Sequence, residues 1–228
     1  MTFSPTSFGP AILCAIIWLP SLGAADFSTY RGFQLGSTVV SASKQAGAKV
    51  SDVRVIHQRP ALIQELDWRP VSLYQMDTKK VDPVRDGLLR FYNGELFQII
   101  TTYDRQKVEG MTEADMVEAI SLTYGVATKP AVEVAYHSNY GEDTPVLARW
   151  EDAEYSHSLV RTGDRASFAL IMSLKRLEAL ARSAIAEAGR LDSLEAPQRA
   201  LDLEKRQQAD TRTVLDKARS VNVPNFRP

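Results

Sequence analysis

A chain of 228 residues that is 44% hydrophobic and 24% charged has the composition of a globular protein, with length for one or two domains. Its formal net charge of −1 supplies no global basic field to attract nucleic acid, and its aromatics do not interleave with a basic stripe. A nucleic-acid partner is therefore not expected.

The first 25 residues stand apart from the rest. Ala11–Leu19 is an unbroken apolar run, Pro20 ends it, and Gly23-Ala24-Ala25 offers small residues before Asp26. This is the pattern of a secretory signal cleaved after Ala25, although no Lys or Arg precedes the run. The alternative is an uncleaved anchor, because Phe8–Ala25 reaches the ~18 residues that can just span a bilayer. Cys14, the only cysteine, lies inside this segment behind Ile12-Leu13, which does not fit an acylation site. A mature chain beginning at Asp26 would hold no cysteine, hence no disulfide, thiolate nucleophile or cysteine metal site.

Phe33–Gly47 predicts a short helix ended by Gly47. Val53–His57 and Ala61–Trp68 follow as strands joined near Arg59-Pro60, and Pro70–Asp86 as a polar loop. Asn93-Gly94 then sits between Leu88–Tyr92 and Glu95–Tyr103, two runs rich in apolar and aromatic residues. Asn-Gly accepts the positive φ angles of a two-residue hairpin turn, so these runs form a hairpin. Gly110–Gly125 gives the clearest helix: Thr112 can cap it, Asp115 stands where a capping box would put Glu or Gln, and Met116, Val117, Ile120 and Tyr124 follow helical spacing. Four strands come next, at Ala131–His137, Pro145–Trp150, Tyr155–Thr162 and Ser167–Leu174. The loops between them are Ser138–Thr144, Glu151–Glu154 and the Gly163-Asp164-Arg165 turn.

The order of short helix, two strands with a late Trp, and hairpin occurs twice. Trp68 follows Gly47 by 21 residues and Trp150 follows Gly125 by 25. The fold expected is α+β: two helix-plus-antiparallel-sheet units in tandem, about 80 residues each, with Trp68, Phe91, Phe97, Trp150 and Phe168 buried. A single irregular α+β domain is the competing reading. The divisions are a signal peptide at 1–25, a first unit at 26–108, a second at 109–174 and a helical extension at 175–228. In the extension, Leu177, Ala181, Ile185, Ala188 and Leu191 form a stripe that packs Lys175–Glu195 on the sheet. Pro197 interrupts this helix. Gln198–Ser220 continues as a polar helix with charges at i,i+4 intervals, at Asp202, Arg206 and Asp210 and again at Arg212 and Asp216.

Residues able to carry chemistry are few. His57, His137 and His157 show no ligand spacing. Ser41-Ala42-Ser43-Lys44 matches Ser-x-x-Lys, but Val53 follows Ser51-Asp52 and no Lys-Thr-Gly occurs. Glu151, Asp152 and Glu154, with Glu142-Asp143, form an acidic region beside Trp150 in no calcium-loop spacing. No catalytic, cofactor-binding or metal-binding residue is assigned, and no cofactor is expected.

Gly110-Met111-Thr112-Glu113, with Val117 and Tyr124-Gly125, is similar to the signature opening the helix of the SmpA/OmlA outer-membrane assembly lipoproteins. Leu35-Gly36-Ser37-Thr38 echoes it. Two successive helix-plus-sheet units also resemble the tandem modules of β-lactamase-inhibitor proteins. Neither family prescribes the long charged C-terminus, and the lipoprotein cysteine and a disulfide pair are missing. The resemblance implies an exported, non-catalytic, protein-binding α+β module of bacterial type, periplasmic or secreted, with another envelope protein as partner. Its surface would be one face of the sheet or the polar C-terminal helix, and the membrane would be a partner only if the N-terminal segment stays uncleaved. The alternative is a small-ligand carrier or hydrolytic enzyme with a cleft between two sheets, using Glu151, Asp152 or His157.

Overall fold

The computed structural model describes residues 25–70, 82–128, 135–137, 143–162 and 167–227. The apolar run Ala11–Leu19 and the turn Gly163-Asp164-Arg165 lie outside them, as does most of the loop between the first two strands of the second unit. Among the described residues, no helix is long and apolar enough to cross a membrane.

The chain first folds a minimal hairpin, β1 (Thr29–Tyr30) and β2 (Phe33–Gln34), turning at Arg31 and Gly32 with φ of 49° and 84°. Helix α1 (Val39–Ala46) follows. Thr38 caps it by accepting from Ser41 N, and Gly47 closes it in the left-handed region. A single 3₁₀ turn (Val50–Asp52) leads into four strands: β3 (Arg54–His57), β4 (Ile63–Trp68), β5 (Val84–Tyr92) and β6 (Glu95–Tyr103). The second unit repeats the order, with α2 (Glu113–Tyr124), β7 (Ala135–His137), β8 (Asp143–Glu151), β9 (Tyr155–Arg161) and β10 (Phe168–Leu174). Thr112 Oγ1 accepts from Asp115 N while the Asp115 carboxylate accepts from Thr112 N, a capping box closed by Asp where Glu or Gln is usual.

The fold is thus α+β with two similar units, but their strands do not form separate sheets. They join edge to edge in one antiparallel sheet of order β3-β4-β5-β6-β10-β9-β8-β7. The seam is β6 against β10, from Ala169 opposite Thr102 to Ser173 opposite Gln98. Each unit contributes its last strand to this seam, so neither leaves that edge open to foreign pairing. Strand β5 begins at Val84, inside the segment expected to be loop, because Asp86 and Gly87 pair with Thr102 and Thr101.

Side-chain alternation assigns the two faces. One face carries Leu66, Leu89, Phe91, Leu159 and Met172 against α1, α2 and the N-terminal hairpin. The other receives the C-terminal helix α3 (Lys175–Asn225), whose Leu177 and Ala181 pack on Ile63 and Phe97. The five aromatic residues expected in the core are all buried. Burial of every residue from Phe168 to Ser173 fits a strand covered on both faces.

Helix α3 departs from expectation at Pro197, which it passes without ending. A proline removes one backbone donor and crowds the carbonyl four residues earlier. Here the Arg199 guanidinium reaches back past the ring and donates to Asp192 O and Asp192 Oδ1, each at 2.9 Å. Those bonds fall on the residue before Ser193, whose carbonyl is the one that loses its helical donor to the proline.

Candidate functional site

The side chains with chemical potential can be placed directly. Trp150 and Glu151 are consecutive on β8 and point to opposite faces. Trp150 pairs with His157 across β9 and shares its face, on the α2 side. Glu151 therefore lies on the α3 side, where its Oε2 is 2.8 Å from Lys175 Nζ. Asp152 sits in the β8–β9 turn, its Oδ1 accepting from the backbone N–H of Glu154 (2.8 Å) and Tyr155 (2.7 Å). Lys175 also donates to Asp152 O, and its backbone N–H to Glu154 O. The acidic run beside Trp150 thus caps a turn and holds the first residue of α3. Glu151, Asp152 and His157 do not face a common cleft.

His57 is half-buried at the end of edge strand β3, and His137 lies on β7 opposite Asp143. Ser41 and Lys44 are exposed on α1 while Ala42 and Ser43 are buried, so the Ser-x-x-Lys pattern spans two sides of a short capped helix. Gly110, at φ 80°, and Thr112 set up the start of α2, which gives that motif a local structural role.

His157 is fully buried. Its Nε2 lies 3.1 Å from Phe27 O, and its ring meets those of Phe27 and Tyr124 edge-on. Burial pushes its pKa down to about 4, so it is neutral at pH 7. Burial likewise raises Tyr124 to about 12, and Tyr103 further, keeping both phenols protonated. Trp150 Nε1 donates to Ser121 Oγ and Gly125 O and so ties the end of α2 to the sheet. This cluster is a core with polar fastenings.

The opposite face holds an arrangement that strand patterning alone did not reveal. Arg54, Glu65, Arg90, Gln98 and Ser173 are cross-strand neighbours on five adjacent strands. Arg90 Nε is 3.2 Å from Glu65 Oε1, Arg90 Nη1 donates to Gln98 Oε1 at 2.9 Å, and Gln98 Nε2 donates to Ser173 Oγ at 3.1 Å. All but Arg54 are buried. The signal was present as polar residues inside apolar strands, but only the register aligns them.

The longest unbroken run of exposed residues among the described ones belongs to α3. Leu177, Ala181, Ala184 and Ala188 are its buried residues, and the Arg59–Glu195 ion pair ties it to the β3–β4 connection. From Ala196 to Arg227 every residue is exposed. At 1.5 Å per residue, Ala196–Asn225 extends about 45 Å. Local contacts support it, including Gln198 to Asp202, Gln208 to Glu204 and Arg212 to Asp216. Each is worth only ~0.2–0.5 kcal/mol. Leu194, Leu201, Leu203, Val214, Leu215 and Phe226 are more than half exposed along this length.

Comparison with protein-family models, with curated proteins and with solved structures finds no match to this chain.

Proposed function

We propose that this is an exported bacterial protein acting without catalysis, as a protein-binding module of the cell envelope whose binding element is the projecting half of α3. One observation carries the reading: a helix continues for eight turns beyond the body with no residue buried. A helix this polar gains little stability alone, so its length is accounted for by a surface it presents. The residues from Ala196 to Pro228 carry seven Lys or Arg against four Asp or Glu, a net +3. That leaves −4 for the rest of a chain whose formal charge is −1. Thr211, Val214, Ala218, Val221 and Asn225 recur at three- and four-residue intervals as an uncharged line. An acidic partner with a shallow apolar groove matches this pattern. The sheet faces are less suited, since Val146, Val160, Ala169 and Ile171 are already buried.

The test compares the whole protein with one ending at Glu195 in crosslinked capture from envelope extract. Both should show the same circular dichroism, and only the longer should retain a specific partner. Identical capture by the two would rule out the helix as the binding element. Mass spectrometry of the mature N-terminus tests export separately, with Asp26 expected as the first residue. The carrier or hydrolase reading gains nothing from the geometry, because the side chains it needs are apart.

A further inference from the structure

The N-terminal residues form a short strap over the α2 end of the sheet. Asp26 organises its start: Oδ1 accepts from Ser28 N at 2.8 Å and Ser28 Oγ at 2.6 Å, and Oδ2 accepts from Thr29 Oγ1 at 2.8 Å. Phe27 stacks on Tyr124 with centroids 5.6 Å apart, and both rings stand edge-on to His157. A carbonyl only accepts, so the 3.1 Å contact of His157 Nε2 with Phe27 O requires the proton on Nε2. Nδ1 then carries the lone pair, and it is buried with no partner among the described residues.

A second proton would have to go to Nδ1, where neither an acceptor nor solvent receives it. The groups around the ring do not compensate. From the strap comes the exposed Asp26, from α2 the neutral Tyr124, and from the β8–β9 turn Asp152, already engaged by backbone N–H groups. The cross-strand neighbours Trp150 and Met172 bring no charge. The Phe27 carbonyl bond and then the two carboxylates favour the cation, but burial outweighs them all by leaving a protonated Nδ1 unsolvated.

We infer that the segment Asp26–Ser28 is a latch held shut by neutral His157, and that protonating this imidazole releases Phe27 while the eight-stranded sheet stays folded. The release is local because Asp26–Ser28 has few attachments while the chain after it is anchored. Beyond the histidine bond and the ring stack, Leu35 N donating to Ser28 O joins the segment to the following chain, whereas β1–β2 is held by the Arg31–Asp82 pair, by Gln45 Nε2 donating to Arg31 O and by buried Phe33. Segments so lightly held open at lower cost than a sheet core. Opening gives the imidazolium water and uncovers Tyr124 and the C-terminal end of α2.

Amide hydrogen exchange read by peptide mass spectrometry tests this, corrected for the pH dependence of intrinsic exchange. Between pH 7 and about pH 4, overlapping peptides that isolate the Leu35 amide, the donor to Ser28 O, should show it losing protection about tenfold or more, while β5–β6 peptides hold theirs. His157→Gln keeps an amide donor for Phe27 O and does not titrate, so its strap should show no pH-dependent loss. Simultaneous loss in strap and sheet would overturn the inference, as would unchanged strap protection or a His157→Gln strap that still opens in acid. Should His157→Gln fail to fold, Phe27→Ala serves instead: its strap should be open at pH 7 over a protected sheet. A strap still protected in that variant would equally overturn the latch.

Discussion

Glu65 and Arg90 face each other across β4 and β5 as a buried ion pair, Arg90 Nε 3.2 Å from Glu65 Oε1 beneath the start of α3. Removing Arg90 leaves the nearly buried Glu65 carboxylate without its buried partner, and the exposed Arg54 Nη2 at 3.7 Å compensates it less well. Arg90→Met should therefore cost up to about 3–5 kcal/mol. Converting both residues to Met removes that carboxylate as well, so the double variant should unfold at a higher urea concentration than Arg90→Met alone. The reverse order would show that the pair is not the main contribution of Arg90.

Gly87 lies opposite Trp68 in the β4–β5 pairing, and a Cβ added there would fall 2.5 Å from Trp68 Cε3. The indole cannot move aside freely, because it is buried with Phe33 edge-on at 5.0 Å. Gly87→Ala should lose about 1–3 kcal/mol through overpacking. The same change should shift tryptophan fluorescence, and an unshifted spectrum with full stability would count against this packing.

The Asn93-Gly94 hairpin shows how much could be read from sequence. Its φ angles of 49° and 84° are those the dipeptide favours, and the strands on both sides follow. The tertiary role of Asn93 was not legible, because it depends on a residue 31 positions away. Asn93 Oδ1 accepts from Leu62 N at 2.9 Å, and Asn93 N donates to Leu62 O at 2.8 Å. Asn93→Gly keeps the turn and loses the side-chain bond, so it should cost about 1 kcal/mol. Asn93→Asp keeps the acceptor and should lie closer to the parent in urea unfolding. Equal losses in both would assign the cost to the turn instead. The buried Glu65–Ser173 ladder was hidden for the same reason: periodicity gives faces, whereas register depends on distant turns.

For α3, the stripe from Leu177 to Ala188 marked the packed half, while the proline rule suggested a break that the structure does not make. The rule describes the local cost of one lost donor at Pro197, and the helix continues on either side of it. Since no residue after Glu195 is buried, ending the chain there should change folding stability by no more than about 0.5 kcal/mol. A larger drop in the thermal midpoint would mean that the projecting segment contributes to the body.

His157 sets the pH response of the body. Its folded pKa of about 4 lies below the ordinary histidine value of 6.5, so above pH 6.5 neither state binds the proton and stability is complete. Between those values the unfolded chain binds more protons, and stability falls as pH falls. The loss is complete below the folded pKa and amounts to about 3 kcal/mol, since each unit is worth 1.36 kcal/mol. Local release of the strap caps that figure, because an imidazolium that reaches water no longer favours unfolding further. Carboxylates titrate in the same window, so the informative quantity is the difference between the parent and His157→Gln in urea unfolding across pH 4 to 7. That difference should close with the sign of a depressed histidine, the parent losing stability faster on acidification. Parallel curves would show that His157 carries no linkage.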